Sequence, residues 1–318
     1  MIQKEPLLIL TGPTAVGKTK LSIELAKSIN GAIISADSMQ VYQYMDIGSA
    51  KITKEEMEGI PHYLVDQFKP EEEFHVVRFQ EEAKKAIHEI RMNGQVPIVV
   101  GGTGFYIQAL LYDIDFSKGD ADTSYRESLE QIGTEQGNQV LHQMLQEVDP
   151  KSAKLIHANN QKRVIRALEY YHFTQQPISE HNEEQQKKES PYHFAYFVLN
   201  DDRTKLYSQI DQRVDWMMEN GLLEEVQKLK EMGYHKEMVS MQGLGYKELL
   251  DYLDGTCTLE EAIYLIKRDT RHFAKRQLTW FKREKEVSWI NKQEFFYDNQ
   301  QILDWILTEL NKRGILEC

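Results

Sequence analysis

Cysteine is nearly absent: Cys257 and Cys318 alone, among 318 residues, cannot form a disulfide framework, and no Cys/His spacing suits zinc. Eighteen glycines and eight prolines are too few for a fibrous chain, and 41% hydrophobic with 28% charged residues is too apolar for a disordered one. Long apolar runs are missing as well. Leu7–Leu10 and Val96–Val100 are among the longest, whereas a spanning helix needs about 20 such residues. The apolar stretch near the start is shorter than a signal peptide and opens onto a glycine loop, so a soluble cytoplasmic protein is expected. Basic residues are in deficit overall, with a net charge of −12, which taken alone argues against a polyanionic partner.

The charge is unevenly spread. Residues 267–285 carry eight basic side chains against two acidic ones, a net +6 that leaves −18 for the remainder. Such a segment is either a solvated helix face or a local surface for phosphates. The length suits one large α/β domain or two modest ones.

Along the first hundred residues, apolar strands alternate with helical periodicity. Leu7–Leu10, Ala32–Ser35 and Val96–Val100 read as strands, with helices over about 19–28 and around Val76, Phe79, Ala83, Ile87 and Ile90. This alternation predicts a parallel sheet flanked by helices, a P-loop-type α/β fold. From about 115 the signals become helical and polar, and Glu180–Ser190 reads as a break. Phe194–Leu199 then returns to the sheet. The expected organisation is an α/β core of 1–114 plus 194–318 with C-terminal helices, and an all-helical insertion over 115–193. After the returning strand only helices are expected, over 210–230, 247–252, 259–284 and 301–312.

Gly12-Pro13-Thr14-Ala15-Val16-Gly17-Lys18-Thr19 fits the phosphate-loop pattern G-x-x-x-x-G-K-[ST], with a strand before it and a helix after. The glycines permit backbone that turns successive N–H groups onto one anion, and the helix adds its positive N-terminal end. Lys18 contributes a point charge, and the Thr19 hydroxyl can ligate Mg²⁺. No N-K-x-D motif for reading a guanine base is present. The strand at Val96 ends in Gly101-Gly102-Thr103-Gly104 instead of a metal-binding acid, and Tyr63-Leu64-Val65-Asp66 is a weak substitute. Asp37 follows the second strand, where an open parallel sheet places its ligands. It is either a base acting on an acceptor or a helix N-cap. Gly243-Leu244-Gly245 lacks a preceding strand and is rejected as a dinucleotide motif. Arg213 falls off the apolar face of its helix, and its spacing gives no reason to prefer it over its neighbours.

These features leave two enzyme classes open. A nucleoside or nucleotide kinase would hold ATP in the loop; a prenyltransferase would hold an allylic diphosphate there while Asp37 activates a nitrogen. The basic segment and the insertion favour a macromolecular acceptor. A binding switch without chemistry is weakened by the missing base-reading motif.

The motifs at 12–19, 35–42 (Ser-Ala-Asp-Ser-Met-Gln-Val-Tyr), 101–106 (Gly-Gly-Thr-Gly-Phe-Tyr), 159–169, 242–248 (Gln-Gly-Leu-Gly-Tyr-Lys-Glu) and 267–281 occur in an order that closely resembles the tRNA dimethylallyltransferase family. The bacterial form is indicated, since the zinc finger of eukaryotic members has no counterpart. The resemblance implies transfer of a dimethylallyl group from dimethylallyl diphosphate to N6 of the adenosine 3′ of the anticodon, with release of diphosphate. It implies Asp37 as general base, Thr14 to Thr19 as the diphosphate cradle, Thr19 as a Mg²⁺ ligand and Arg213 as a diphosphate-binding arginine. Asp37, Ser38, Met39, Gln40, Thr103, Arg126, Gln161, Lys162, Arg163, Val164, Ile165, Gln242, Gly243, Leu244, Gly245, Tyr246 and Lys247 match tRNA-contacting positions. The insertion matches the domain that grips the anticodon stem-loop, and a monomer is expected.

Overall fold

Strands buried on both faces must lie inside a sheet covered twice, and the apolar runs found in the sequence do so. A computed structural model describes residues 4–116 and 124–316. In chain order it begins with β1 (Glu5–Thr11), α1 (Lys18–Ser28), β2 (Gly31–Ala36), β3 (His62–Tyr63), α2 (Val76–Met92), β4 (Val96–Gly101) and α3 (Gly104–Leu111). Five helices follow: α4 (Ser124–Glu135), α5 (Asn138–Val148), α6 (Pro150–Leu155), α7 (Gln161–Thr174) and α8 (Ile178–Gln186). The chain then forms β5 (Tyr192–Asn200), α9 (Arg203–Glu219), α10 (Leu222–Glu231), α11 (Tyr246–Leu253), α12 (Leu259–Phe281), β6 (Val287–Asn291) and α13 (Asn299–Lys312).

The sheet runs β3-β2-β4-β1-β5-β6 with every pairing parallel. Connections leave β1 toward β2 and β4 on one side and reach β5 on the other, so the direction of winding reverses beside β1. Ligands of open α/β sheets bind at such a reversal, outside the carboxyl ends of the strands. Leu7, Leu8, Ile9 and Leu10 of β1 and Ala195 to Leu199 of β5 are buried, as parallel strands covered on both faces require. Thr11 at the tip of β1 donates its hydroxyl to the Gly101 carbonyl at 2.6 Å, fixing two strand ends side by side.

By internal contacts the chain divides into Met1–Leu111 with Pro191–Cys318, and Tyr112–Ser190. The second unit is helical in its described residues. It closes on Leu129, Leu141, Leu145, Val164, Ile165 and Leu168. The buried Asp149 caps α6 through Ser152 N–H at 2.9 Å and also accepts from Ser179 N–H at 2.9 Å, joining α6 to α8.

Three expectations need correction. The helix expected over 210–230 is two helices, because Gly221 adopts φ 99° between them, a left-handed conformation that ends a helix. The segment after β5 is not all helix, since Val287–Asn291 adds β6 to the sheet edge beside β5. Its β-branched and aromatic residues suit a strand, but the short run was masked by the basic helix before it. The polar stretch from Glu180 is helical as far as Gln186, with only Ser179 of α8 buried. A helix so poorly buried leaves little apolar periodicity to read.

Candidate active site

Residues 12–17 turn the chain from β1 into α1. Gly17 has φ 94°, and a side chain on Gly12 would meet the Leu199 carbonyl oxygen at 2.5 Å, so neither position accepts another residue without strain. Ala15 is also left-handed, with φ 64°. The Lys18 ammonium folds back over the loop, donating to the carbonyls of Gly12 at 3.0 Å and Pro13 at 2.8 Å. Burial pushes its pKa down to about 8; Asp37 opposes that shift and Arg213 adds to it. Thr19 lies exposed in the first turn of α1.

Asp37 follows the last residue of β2. Its Oδ1 accepts from the N–H groups of Met39 at 2.9 Å and Gln40 at 3.4 Å, so the carboxylate does cap the turn after the strand. It also stands within electrostatic reach of Lys18 and Arg213. Capping and a place on the phosphate-loop rim are therefore compatible, because the turn engages one oxygen only. Arg213 corrects the expectation of a solvated arginine. It is partly buried on α9, and that burial lowers its pKa against the pull of Asp37 and Glu56.

The Gly101–Gly104 turn joins the same rim. Thr103 N–H donates to the Ala36 carbonyl at 3.1 Å, one residue before Asp37. A side chain on Gly101 would meet that same oxygen at 2.3 Å, and one on Gly104 would meet the Trp280 ring at 2.3 Å. These glycines thus permit close approach of β2 and α12. Ser38 is half-buried, and Gln40 is spent internally, accepting from Ser35 Oγ at 3.3 Å and donating to the Ala50 carbonyl at 3.0 Å.

The Gln242–Lys247 segment lies against this rim at one point, where Met39 fills the space beside Gly243. No strand precedes it; a 3-10 turn over Ser240–Gln242 does. Gln242 is exposed, whereas Leu244 and Lys247 are half-buried and Gly245 is buried. Tyr246 is buried and donates its hydroxyl to Glu225 at 2.8 Å. The same carboxylate accepts the N–H groups of Asp46, Ile47 and Gly48 at 2.9, 2.7 and 3.1 Å, which anchors the loop downstream of Asp37.

In the helical unit, Arg126 forms a bidentate pair with Glu169 at 2.9 and 2.8 Å. Lys162 and Arg163 are exposed, Gln161 packs over Gly133, and Val164 and Ile165 are buried core residues. Asp66 is excluded as a metal-binding acid of the strand. The backbone is left-handed at Leu64 and Asp66, and the carboxylate pairs with Lys51 at 2.7 Å.

The basic segment divides. Lys267 pairs with Asp215 at 2.6 Å, Arg268 with Asp269 at 2.8 Å, and Arg271 with Asp211. Further along α12, His272, Lys275, Arg276, Thr279, Trp280 and Arg283 line an open cleft of about 360 Å³. Among the described residues no carboxylate pairs with Lys275, Arg276 or Arg283. Three participants gave no sequence signal: Glu225; Gln277, which accepts from Thr14 N–H at 2.9 Å; and Lys292, which donates to the Val16 carbonyl at 3.1 Å.

Residues 40–284 match the IPP transferase family. A tRNA dimethylallyltransferase of Lachnoclostridium phytofermentans is 63% identical over 308 residues, covering 97% of each chain. One from Acetivibrio thermocellus is 55% identical, covering 93% of this chain and 95% of the relative. Among solved structures, the full-length tRNA isopentenylpyrophosphate transferase of Bacillus halodurans superposes with TM-score 0.73 at 45% identity, covering 98% of both chains. A eukaryotic dimethylallyltransferase described as acting on tRNA gives TM-score 0.78 at 33% identity, covering 90% of this chain and 74% of its own. A phosphate loop and a cation-flanked acid on one sheet edge, carried by a sequence this similar along its whole length, place the chain in the tRNA dimethylallyltransferase family.

Proposed function

We propose that the chain transfers a dimethylallyl group from dimethylallyl diphosphate to N6 of the adenosine 3′ of the anticodon in tRNA, releasing diphosphate. The observation that carries this reading is Asp37 standing between the electrostatic fields of Lys18 and Arg213 on the phosphate-loop rim. An exocyclic adenine nitrogen is a poor nucleophile because its lone pair is delocalised into the ring. It needs a base at the proton and a leaving group that tolerates charge. In the reaction the N6–carbon bond forms while the carbon–oxygen bond breaks. The electron pair of that bond departs with the diphosphate, and the N6 proton passes to Asp37. Lys18, Arg213 and the inward N–H groups of residues 14–19 supply positive charge where the diphosphate becomes more negative.

Thr19 offers a hard oxygen at the mouth of the cradle, and among the described residues no cluster of three acidic, histidine or cysteine side chains could hold an ion alone. That donor set fits Mg²⁺, which keeps waters and takes its other oxygens from phosphate. When bound there, Mg²⁺ would neutralise charge on the departing diphosphate.

The acceptor adenine lies in a stem-loop and must be extruded to reach Asp37. The open cleft on α12 supplies phosphate contacts, and the exposed Lys162 and Arg163 of the helical unit supply others. The overall negative charge interferes little, since screening confines it to about 8–10 Å. No helix among the described residues is long and apolar enough to cross a membrane. We read the enzyme as a cytoplasmic monomer.

The kinase alternative is not favoured, given relatives named as transferases to tRNA. One pair of assays decides. The full chain with Mg²⁺ should prenylate an anticodon stem-loop RNA from dimethylallyl diphosphate without consuming ATP. Phosphate transfer from γ-labelled ATP to a nucleoside, with no prenylation, would replace this reading with the kinase.

A further inference from the structure

Gln277 is a buried amide on α12, 6% exposed, with both ends committed to the catalytic rim. Its Oε1 accepts from Thr14 N–H at 2.9 Å, and its Nε2 donates to the Gly102 carbonyl at 2.9 Å. It thereby joins the phosphate loop after β1 to the glycine turn after β4. Gly102 leaves it no spare room, since an added Cβ would fall 2.2 Å from Nε2. One turn on, Trp280 fills the space beside Gly104 in the same turn and also lines the basic cleft with Lys275, Arg276 and Arg283. The last turns of α12 therefore press on the diphosphate cradle and carry cations toward a polyanion within a few residues of one another.

Resting on the function proposed above, we infer that Gln277 is a positioning residue that sets the phosphate loop and couples occupancy of the basic cleft to binding of the diphosphate. Only an amide serves both ends. Thr14 N–H needs an acceptor, Gly102 C=O needs a donor, and a buried polar group left unmatched is costly. A helix that shifts when the stem-loop engages Lys275 and Arg276 moves this amide, and the amide moves Thr14.

The test uses the full chain with inorganic diphosphate and Mg²⁺, titrated calorimetrically with and without an anticodon stem-loop RNA. In the wild type, the RNA should change diphosphate affinity several-fold. Gln277→Met should abolish that dependence and raise KM for dimethylallyl diphosphate about tenfold, with kcat changed less than about threefold and RNA affinity and Tm unchanged. Gln277→Glu keeps the acceptor for Thr14 but adds charge beside the cradle. Its KM should rise beyond that of Gln277→Met, and the excess should shrink at high salt. Unchanged KM and unchanged coupling in both variants would overturn the inference. So would a fall in Tm or RNA affinity that accounts for the change in KM, or a wild type in which RNA leaves diphosphate affinity unaltered. If the wild type binds diphosphate and prenylates RNA while the variants match it, only the role of Gln277 fails. If the wild type neither binds diphosphate nor prenylates, the proposed function fails with it.

Discussion

The phosphate-loop rim and the helical insertion satisfy their buried polar groups in opposite ways. On the rim the partners are main-chain atoms: Lys18 on the Gly12 and Pro13 carbonyls, Asp37 on the Met39 and Gln40 amides, Gln277 on Thr14 and Gly102. In the insertion they are side chains and helix ends: Glu169 with Arg126, Asp149 with Ser152 and Ser179. A lysine held only by carbonyls can trade them for phosphate at small cost. A buried carboxylate that gives up its arginine is left an uncompensated charge. The rim is built for exchange and the insertion for shape.

Breaking the rim should have the largest effect. Asp37→Asn keeps an acceptor for the Met39 amide but removes the base, so turnover should fall about 10²- to 10⁴-fold while RNA affinity is retained in a filter-binding assay. Turnover near wild type would return Asp37 to a cap alone. Next comes the surface between these extremes. Reversing Lys275 and Arg276 together should weaken stem-loop binding about 10²-fold and lower the slope of log K against log salt by about two. A slope that stays the same would mark this face of α12 as merely solvated.

The insertion is sharpened by Arg126→Ala, which strands Glu169 and should cost roughly 2 kcal/mol in urea unfolding. The paired change Arg126→Met with Glu169→Met should recover most of that stability. If instead Arg126→Ala leaves stability intact and weakens only RNA binding, the arginine is a ligand contact. The smallest effect concerns pH. A lysine whose pKa burial has lowered to about 8 is charged below that pH and loses its proton above it. Donor kcat/KM should therefore be level from pH 7 to about 8 and decline several-fold by about pH 9.5, a decline that Lys18→Met abolishes.

Much of the rim was legible because main-chain geometry demands particular residues. Gly12, Gly17 and Lys18 are fixed in type by the turn and its anion, and they stand at fixed spacing. Arg213 was illegible by the same token: its position off the apolar face of α9 looks like solvation until α9 packs beside the rim. Gln277 is 263 residues from Thr14, and Glu225 is 178 residues from Ile47. No periodicity joins positions so far apart. Of the motif at 159–169, the exposed Lys162 and Arg163 alternate with Val164 and Ile165 of the core, so one run of sequence serves two purposes.

By itself the amino-acid sequence determined the parallel α/β architecture, the phosphate loop and the acid one strand away, because these follow from local spacing and burial on a repeating backbone. The tertiary structure alone decided which side chains complete that rim. A buried amide, a carboxylate accepting three amides and a partly buried arginine acquire partners only when distant segments are packed together. Hydrogen bonding and desolvation act through distance in space, which the order of residues does not specify.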